Sequence, residues 1–130
     1  GRYSYMRCGD GVRLCGVLAL ETGLGRGYYH HAEPTVHGLW PQVRPYGDSQ
    51  CVPPRESTVE RRVYPCYRQA GARALWFEGH EWSSHGVCAG AESDSDFFAQ
   101  VCELSHEPLL LMQQARGEGL RGMEGALRAA

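Results

Sequence analysis

Two short segments hold most of the side chains that could carry out acid–base chemistry. The first reads H-G-L-W-P at residues 37–41, and the second reads H-E-W-S-S-H-G-V-C at residues 80–88. Together they contribute three imidazoles and one carboxylate, which are groups that proteins commonly use to move protons near neutral pH. The two segments are therefore the first candidates for a functional site.

The second segment is predicted to contain a short helix that brings its polar groups to one side. With 3.6 residues per turn, four polar side chains point at roughly 0°, 100°, 40° and 140° around the axis: His80, Glu81, Ser84 and His85. Glu81 and His85 lie at i and i+4 and are direct neighbours on a helix. A carboxylate beside a histidine raises the pKa of the imidazole and orients its ring.

Three interpretations of this cluster compete. A zinc hydrolase with the H-E-x-x-H pattern needs its histidines at i and i+4, whereas His80 and His85 are five apart, so no metal or other cofactor is expected. The histidines and tryptophans could instead be core residues with a structural role. The third interpretation is metal-free acid–base catalysis by two imidazoles, as RNA cleavage through its own 2′-hydroxyl requires.

The two segments together resemble the two catalytic segments of the ribonuclease T2 family, the acid transferase-type ribonucleases. The order of the segments and the distance between them also fit that family. The resemblance is specific over residues 35–88 and extends more loosely through the helix that begins F-F-A-Q-V at Phe97. The N-terminal third matches poorly, because V-L-A-L-E-T stands where the family usually has a strand ending in Q-W-P.

The resemblance implies an activity and a role for each histidine of the motifs. His37 and His85 would be the general acid and base pair, His80 would bind the phosphate, and Glu81 would orient its neighbours or polarise the phosphoryl oxygen. The substrate would be single-stranded RNA, cleaved by transesterification to a 2′,3′-cyclic phosphate and a 5′-hydroxyl. The same resemblance implies that Trp40 stacks on a base and that Phe77 forms a second base site.

Two positions depart from the family pattern. Gln42 stands where the family often has an aspartate that recognises the base, and Ser84 stands where it usually has a lysine. A hydroxyl cannot supply the positive charge that stabilises the phosphorane, and losing such a group typically lowers the rate about 10²–10³-fold. Either an arginine from elsewhere substitutes, or the enzyme is slow, or the protein is a catalytically inactive RNA-binding protein, effector or toxin.

Six cysteines predict three disulfides in a secreted or otherwise extracytoplasmic or vacuolar protein. They lie at positions Cys8, Cys15, Cys51, Cys66, Cys88 and Cys102. No pair has the spacing of a structural zinc knuckle. The resemblance implies a Cys51–Cys88 bond and a bond from Cys66 to Cys15 or Cys8, which leaves Cys102 for the remaining pair.

The strands and helices predicted around these residues indicate an α+β fold with a small antiparallel sheet packed with helices. The family resemblance implies that this fold is disulfide-bonded and similar to that of ribonuclease T2. Strands are predicted over 12–20 and 35–40, and a short helix over 80–85 that ends at Gly86. Ser93 is an N-cap candidate for a second helix, and Pro108 could open a third. The glycines of the tail after it disfavour a helix, so the sequence leaves the helicity of the tail open.

Length and charge complete the expectations. One domain over residues 1–130 is expected, and the longest apolar run, at 108–112, is too short for a membrane span. A monomer is expected. All thirteen basic residues are arginine, and the net charge is −2 with histidines neutral. Protonating the six histidines would favour RNA binding, so an optimum between about pH 4.5 and 6.5 is predicted.

Histidines and arginines outside the two motifs have open roles. The His30–His31 pair is expected to be exposed on a loop, although a metal site with His37 is conceivable. The only basic cluster comprises Arg61, Arg62, Arg68 and Arg73. It is either a solvated helix face or a track for the RNA backbone.

Overall fold

The protein is described by a computed structural model that covers Asp10, residues 15–41 and residues 61–130. Two strands, β1 (Val17–Glu21) and β2 (Thr35–Trp40), form an antiparallel pair. Three α-helices follow: α1 (Ala74–Ser84), α2 (Asp94–Gln114) and α3 (Gly119–Ala129). Short 3₁₀ segments lie at Gly27–Tyr29, Pro65–Arg73, Gly86–Cys88 and Arg116–Glu118. The described residues therefore confirm a small α+β protein.

The core lies between the strand pair and α2. Its buried residues come from β2, from the 3₁₀ segment Pro65–Arg73 and the residue before it, from α1, from α2 and from the connection between these two helices: Val36, Leu39, Tyr64, Tyr67, Trp82, Ala91, Phe97, Phe98 and Val101. A second, smaller cluster joins the end of α2 to α3 through Met112, Ala115 and Met123. The aromatic rings of α1 and α2 thus hold the helices against β2, which carries the first motif.

The predicted β2 strand is confirmed at residues 35–40, whereas β1 begins at Val17 and ends at Glu21 rather than spanning 12–20. Residues 12–14 lie outside the described part. Ser93 is confirmed as the N-cap of α2, because its Oγ accepts the backbone N–H of Asp96 at 3.1 Å. Acidic residues in the first turn of α2 add to this by complementing the helix dipole.

Two helix predictions are corrected, and the helicity of the tail, which the sequence left open, is established. Helix α1 begins at Ala74, well before His80, and ends at Ser84, with His85 rather than Gly86 in the capping position. Pro108 does not open a third helix, because α2 continues through it to Gln114. Buried residues on both sides of Pro108, such as Val101 and Met112, hold α2 together despite the missing backbone donor. The glycine-rich tail forms α3 because Met123 is buried against α2.

The disulfide expected to join Cys66 to the N-terminal region is also corrected. Cys66 pairs with Cys102, which links the 3₁₀ segment Pro65–Arg73 to α2. Cys15 is disulfide-bonded as well, so its partner is neither of these two. Cys8, Cys51 and the side chain of Cys88 lie outside the described part, and the Cys51–Cys88 bond stays a prediction.

No helix within the described residues has both the length and the apolar character needed to cross a membrane.

Candidate functional site

An irregularity in the strand pair sets the position of the first motif. The register of β1 against β2 shifts between Ala19 and Leu20, so that His37 has no partner residue in the pairing. A bulge of this kind changes the side to which the following side chains point. His37 and Trp40, three residues apart on β2, are both partly exposed, and their rings meet edge to face at 5.7 Å.

The side chain of Glu81 joins the two motifs. It is 1 % exposed, and its Oε1 lies 2.9 Å from Nε2 of His37. Its other oxygen, Oε2, lies 3.6 Å from Nε2 of His85, one helical turn further along. One buried carboxylate therefore lies between two imidazoles, one from each motif. The predicted proximity of Glu81 and His85 is confirmed, although His85 caps α1 instead of lying within it.

The glycine that follows each of these histidines is required by packing. A Cβ on Gly38 would lie 3.0 Å from Cδ of Glu81, so the carboxylate packs directly against the backbone of β2. A Cβ on Gly86 would lie 2.7 Å from ring atoms of both Phe97 and Trp82. Both distances are too short for an alanine without movement of the neighbouring groups. In each motif the histidine is therefore followed by a glycine, whose lack of a side chain lets other side chains pack closely against the backbone.

Glu21, at the end of β1, is a site residue that the sequence reasoning missed. Its Oε2 lies 3.0 Å from Nδ1 of His37, and its Oε1 lies 3.0 Å from Nε2 of His31. The other ring nitrogen of His31 lies 2.6 Å from the backbone carbonyl of Glu33. The sequence does contain a signal that could have identified Glu21 as a site residue, because it is a charged residue at the end of an otherwise apolar strand. The prediction that His30 and His31 are both exposed is correct for His30 only, because His31 is partly buried and belongs to this network.

Imidazoles and carboxylates alternate through the whole site. The order is His31, Glu21, His37, Glu81 and His85, with every neighbouring pair within 3.6 Å. His37 is the centre of this chain because both of its ring nitrogens face a carboxylate. A carboxylate on each side stabilises the imidazolium form and holds the ring in one orientation.

The two motif histidines have opposite pKa shifts. The pKa of His37 is raised to about 9, chiefly by its hydrogen bond to Glu21 and then by Glu81, against the effect of burial. Burial lowers the pKa of His85, and Glu81 offsets this only in part. Burial also raises the pKa of Glu21, but its bonds to His37 and His31 outweigh it and the net shift is downward. Near neutral pH, His37 is therefore protonated and His85 is neutral.

Aromatic rings surround the pair. The ring of Trp40 lies 5.2 Å from that of His85, tilted by 30°, and the ring of Phe77 lies 5.1 Å from that of His37, nearly perpendicular to it. The Tyr67 hydroxyl donates to the backbone carbonyl of His37 at 3.2 Å. Trp40 and Phe77, the two predicted base-binding residues, thus lie directly against the predicted catalytic pair.

A cleft of about 380 Å³ opens beside His37. Phe77 and His80 also line it, whereas Glu81 and His85 do not. His80 is exposed, and its ring lies parallel to that of Trp76 at 5.5 Å. The structure thus places His80 on the exposed side of α1, apart from the buried side that carries Glu81.

The remaining predicted residues fall in three different places. Ser84 is partly exposed at the end of α1, and Gln42 lies outside the described part of the chain. Arg61, Arg62 and Arg68 are exposed, while Arg73 lines the cleft. Within residues 15–41 and 61–130, no group of three or more His, Cys, Asp or Glu side chains is arranged to hold a metal ion.

Comparisons with known proteins assign no family to this chain: no protein-family model, no curated protein and no solved structure matches it.

Proposed function

We propose that this protein is an endoribonuclease that cleaves single-stranded RNA by transesterification, with imidazoles as the acid and the base. The single observation that carries the proposal is the shared carboxylate of Glu81. It lies between a protonated imidazole, His37, and a neutral imidazole, His85. Pairs of titratable groups whose environments move their pKa values apart are the usual basis for assigning an acid and a base.

The proposed reaction uses each imidazole for one proton. Neutral His85 accepts the proton of the RNA 2′-hydroxyl as this oxygen attacks the adjacent phosphorus. Protonated His37 donates a proton to the 5′-oxygen as the bond between phosphorus and that oxygen breaks. The products are a 2′,3′-cyclic phosphate and a 5′-hydroxyl. Each positioned proton-transfer group typically contributes about 10²–10⁴ to the rate.

The two carboxylates have distinct roles in this scheme. Glu21 accepts a hydrogen bond from Nδ1 of His37, so the proton for the leaving group comes from Nε2. That nitrogen faces Glu81 at 2.9 Å in the free protein, and the leaving oxygen would compete with Glu81 for it. Glu81 is also near His85, and so it would stabilise the imidazolium that forms there when the 2′-hydroxyl loses its proton.

Substrate binding is assigned to the surrounding aromatic rings and to His80. Trp40 and Phe77 lie against the two imidazoles, so a base stacked on either ring would hold its phosphate near them. Stacking of one base on an aromatic side chain contributes about 1–3 kcal/mol. His80 would bind the phosphate from the cleft that it shares with His37.

The proposed location is supported by a disulfide bond. The Cys66–Cys102 bond crosslinks two elements of the core region, and disulfides form and persist in oxidising compartments. A secreted or otherwise extracytoplasmic or vacuolar monomer, similar to ribonuclease T2 enzymes, is part of the same proposal.

A second candidate function is favoured by one residue. Ser84 carries no charge where the resembling enzymes usually have a lysine, and this would suit an RNA-binding protein, effector or toxin with little or no cleavage activity. In that case the aromatic rings and His80 would still bind RNA. Cleavage would be slow or absent, because no cation would stabilise the charge of the phosphorane.

The decisive experiment is incubation with defined single-stranded oligoribonucleotides in EDTA, with the product termini identified by mass spectrometry. The proposal predicts cyclic phosphate and 5′-hydroxyl ends, and no cleavage of the same sequence with 2′-deoxy sugars. Binding without cleavage would support the second candidate. Products with 5′-phosphate ends would overturn the proposed chemistry, because transesterification through the 2′-hydroxyl cannot produce them.

A further inference from the structure

An arginine that belongs to neither motif lines the cleft beside His37. Arg73 lies at the end of the 3₁₀ segment Pro65–Arg73, immediately before α1, and lines the cleft together with His37 and His80. It is the only arginine among the described lining residues, and the only carboxylate among them is Glu21. Because Glu21 already contacts His31 and His37, its carboxylate oxygens are engaged with these two rings rather than with Arg73.

Two exposed aromatic rings hold the Arg73 guanidinium in place. Its Cζ atom lies 3.4 Å from the centre of the Tyr28 ring and 4.8 Å from the centre of the Trp76 ring. The same Trp76 ring lies parallel to the ring of His80 at 5.5 Å. Trp76 therefore holds two basic side chains in fixed positions at the cleft. Tyr28 is 73 % exposed and Trp76 is 60 % exposed, so the arrangement is open to a ligand.

The edge of this guanidinium has no partner within the described residues, where Arg73 makes neither a hydrogen bond nor an ion pair. Stacking uses the faces of a guanidinium and leaves its N–H groups, which point outward in the plane, available to an acceptor. A planar fork of N–H donors fits two oxygens of a phosphate group. With Arg73 charged and His37 protonated, the cleft carries positive charge that favours an anion.

We propose that Arg73 binds a phosphate group of the RNA backbone in this cleft and supplies the cation that is missing at Ser84. The inference rests on the proposed function for the identity of the ligand. The positive charge would reach the phosphate from the segment before α1 instead of from the last turn of that helix. Trp76 contacts both Arg73 and His80, so these two basic side chains lie against one ring at the edge of the cleft.

The test is a titration with inorganic phosphate followed by NMR, with Arg73→Gln and the matched control Arg68→Gln. Arg68 is exposed on the same 3₁₀ segment and does not line the cleft. We expect at least a tenfold weaker phosphate affinity in Arg73→Gln and an affinity within twofold of wild type in Arg68→Gln. Unperturbed amide spectra of both variants away from the cleft would establish that they are folded.

A non-cleavable 2′-O-methyl oligonucleotide provides a second measurement. Removing one phosphate contact lowers the slope of log affinity against log salt by about 0.7 for a single strand. We expect this decrease in Arg73→Gln and not in Arg68→Gln. Arg73→Lys is expected to recover only part of the affinity, since an ammonium lacks the planar fork and the stacking faces.

The possible outcomes separate this inference from the proposed function. No measurable phosphate binding by the wild type, or equal binding by wild type and Arg73→Gln, would overturn the role of Arg73 even if the wild type cleaves RNA. Phosphate binding that depends on Arg73, in a protein that leaves RNA uncut, would support the phosphate site and overturn the enzyme. An equal loss of phosphate affinity in Arg73→Gln and Arg68→Gln would indicate that only the overall charge matters, and it would also contradict a specific phosphate site at Arg73.

Discussion

Nε2 of His37 lies 2.9 Å from Oε1 of Glu81, and this contact joins strand β2 to helix α1. It brings together the two segments whose side chains could transfer protons, although they are far apart in the sequence. Because the carboxylate is buried and also faces His85, a change at any one of the three groups alters the electrostatics of the other two.

The first prediction concerns the proposed acid and base. His37→Ala and His85→Ala should each lower RNA cleavage at least 10²-fold, because each removes one proton-transfer group. The measurement is the initial rate on a defined oligoribonucleotide, with circular dichroism to verify folding. His106→Ala is the matched control, since His106 is exposed on α2, and it should keep the wild-type rate. Wild-type activity in a folded His37→Ala or His85→Ala variant would contradict the assignment.

The second prediction concerns pH. Activity should rise as the pH passes the pKa of His85, below 6.5, and should fall as it passes the pKa of His37, near 9. This window extends above the range of pH 4.5–6.5 expected from the sequence, because Glu21 and Glu81 keep His37 protonated. Glu21→Gln should lower the pKa of His37 and move the alkaline limb toward 6.5, as measured by NMR titration and by pH–rate profiles.

Glu33→Gln is the control for this change, because the Glu33 side chain is exposed and contacts Gln69 while only its backbone carbonyl meets His31. An alkaline limb at the same pH in wild type and Glu21→Gln would contradict the role of Glu21.

The free energy of unfolding should depend on the protonation of His37 as well. A raised histidine pKa contributes stability that is fully present below 6.5 and is lost as the pH rises through about 9.

The third prediction concerns the packing of β2 against Glu81. Gly38→Ala should lower the cleavage rate at least tenfold and destabilise the protein by about 1–3 kcal/mol, because the added methyl group displaces a buried carboxylate. Gly79→Ala is the control: its Cβ would meet nothing within 4 Å, and alanine is the better helix former by about 1 kcal/mol. Thermal unfolding and initial rates test both variants. An unchanged rate in Gly38→Ala would show that the position of Glu81 is unimportant for cleavage.

The fourth prediction concerns the uncharged end of α1. If Arg73 already supplies the cation, Ser84→Lys should raise turnover less than tenfold or lower it through repulsion between like charges. The measurement is kcat on the same oligoribonucleotide, compared with Ser83→Lys, which adds the same charge at the neighbouring exposed position. A gain above tenfold that is specific to Ser84→Lys would mean that the wild type lacks this cation.

The fifth prediction concerns the disulfides. Peptide mapping without reduction should find three bonds, among them Cys66–Cys102, whose partners are 36 positions apart. The double variant Cys66→Ala and Cys102→Ala should lose about 4 kcal/mol of stability, from the loop entropy that the bond removes from the unfolded chain. Chemical denaturation of both proteins provides the measurement. Six free thiols, or a Cys66 peptide linked to Cys8 or Cys15, would contradict the structure.

Features that depend on neighbouring residues could be predicted from the sequence. The β-branched and aromatic residues of β2 predict its bounds, and the hydroxyl of Ser93 predicts the start of α2, because both effects act within one turn or one strand. The start of α1 was missed because its buried side includes Glu78 and Glu81, where the helical pattern leads one to expect apolar residues. Glu78 is buried there because it accepts the backbone N–H of Tyr64, which is distant in sequence.

The tertiary structure alone decided which partners the reactive groups have. Spacing along α1 places Glu81 beside His85, but it contains no information on the distance from Glu81 to His37 on a separate strand. The contact of Glu21 with His37 and the bond of Cys66 to Cys102 depend in the same way on packing between distant segments. The protonation of His37 is set by these long-range contacts, since the pKa of an imidazole responds to charges within a few ångströms in space, wherever they lie in the sequence.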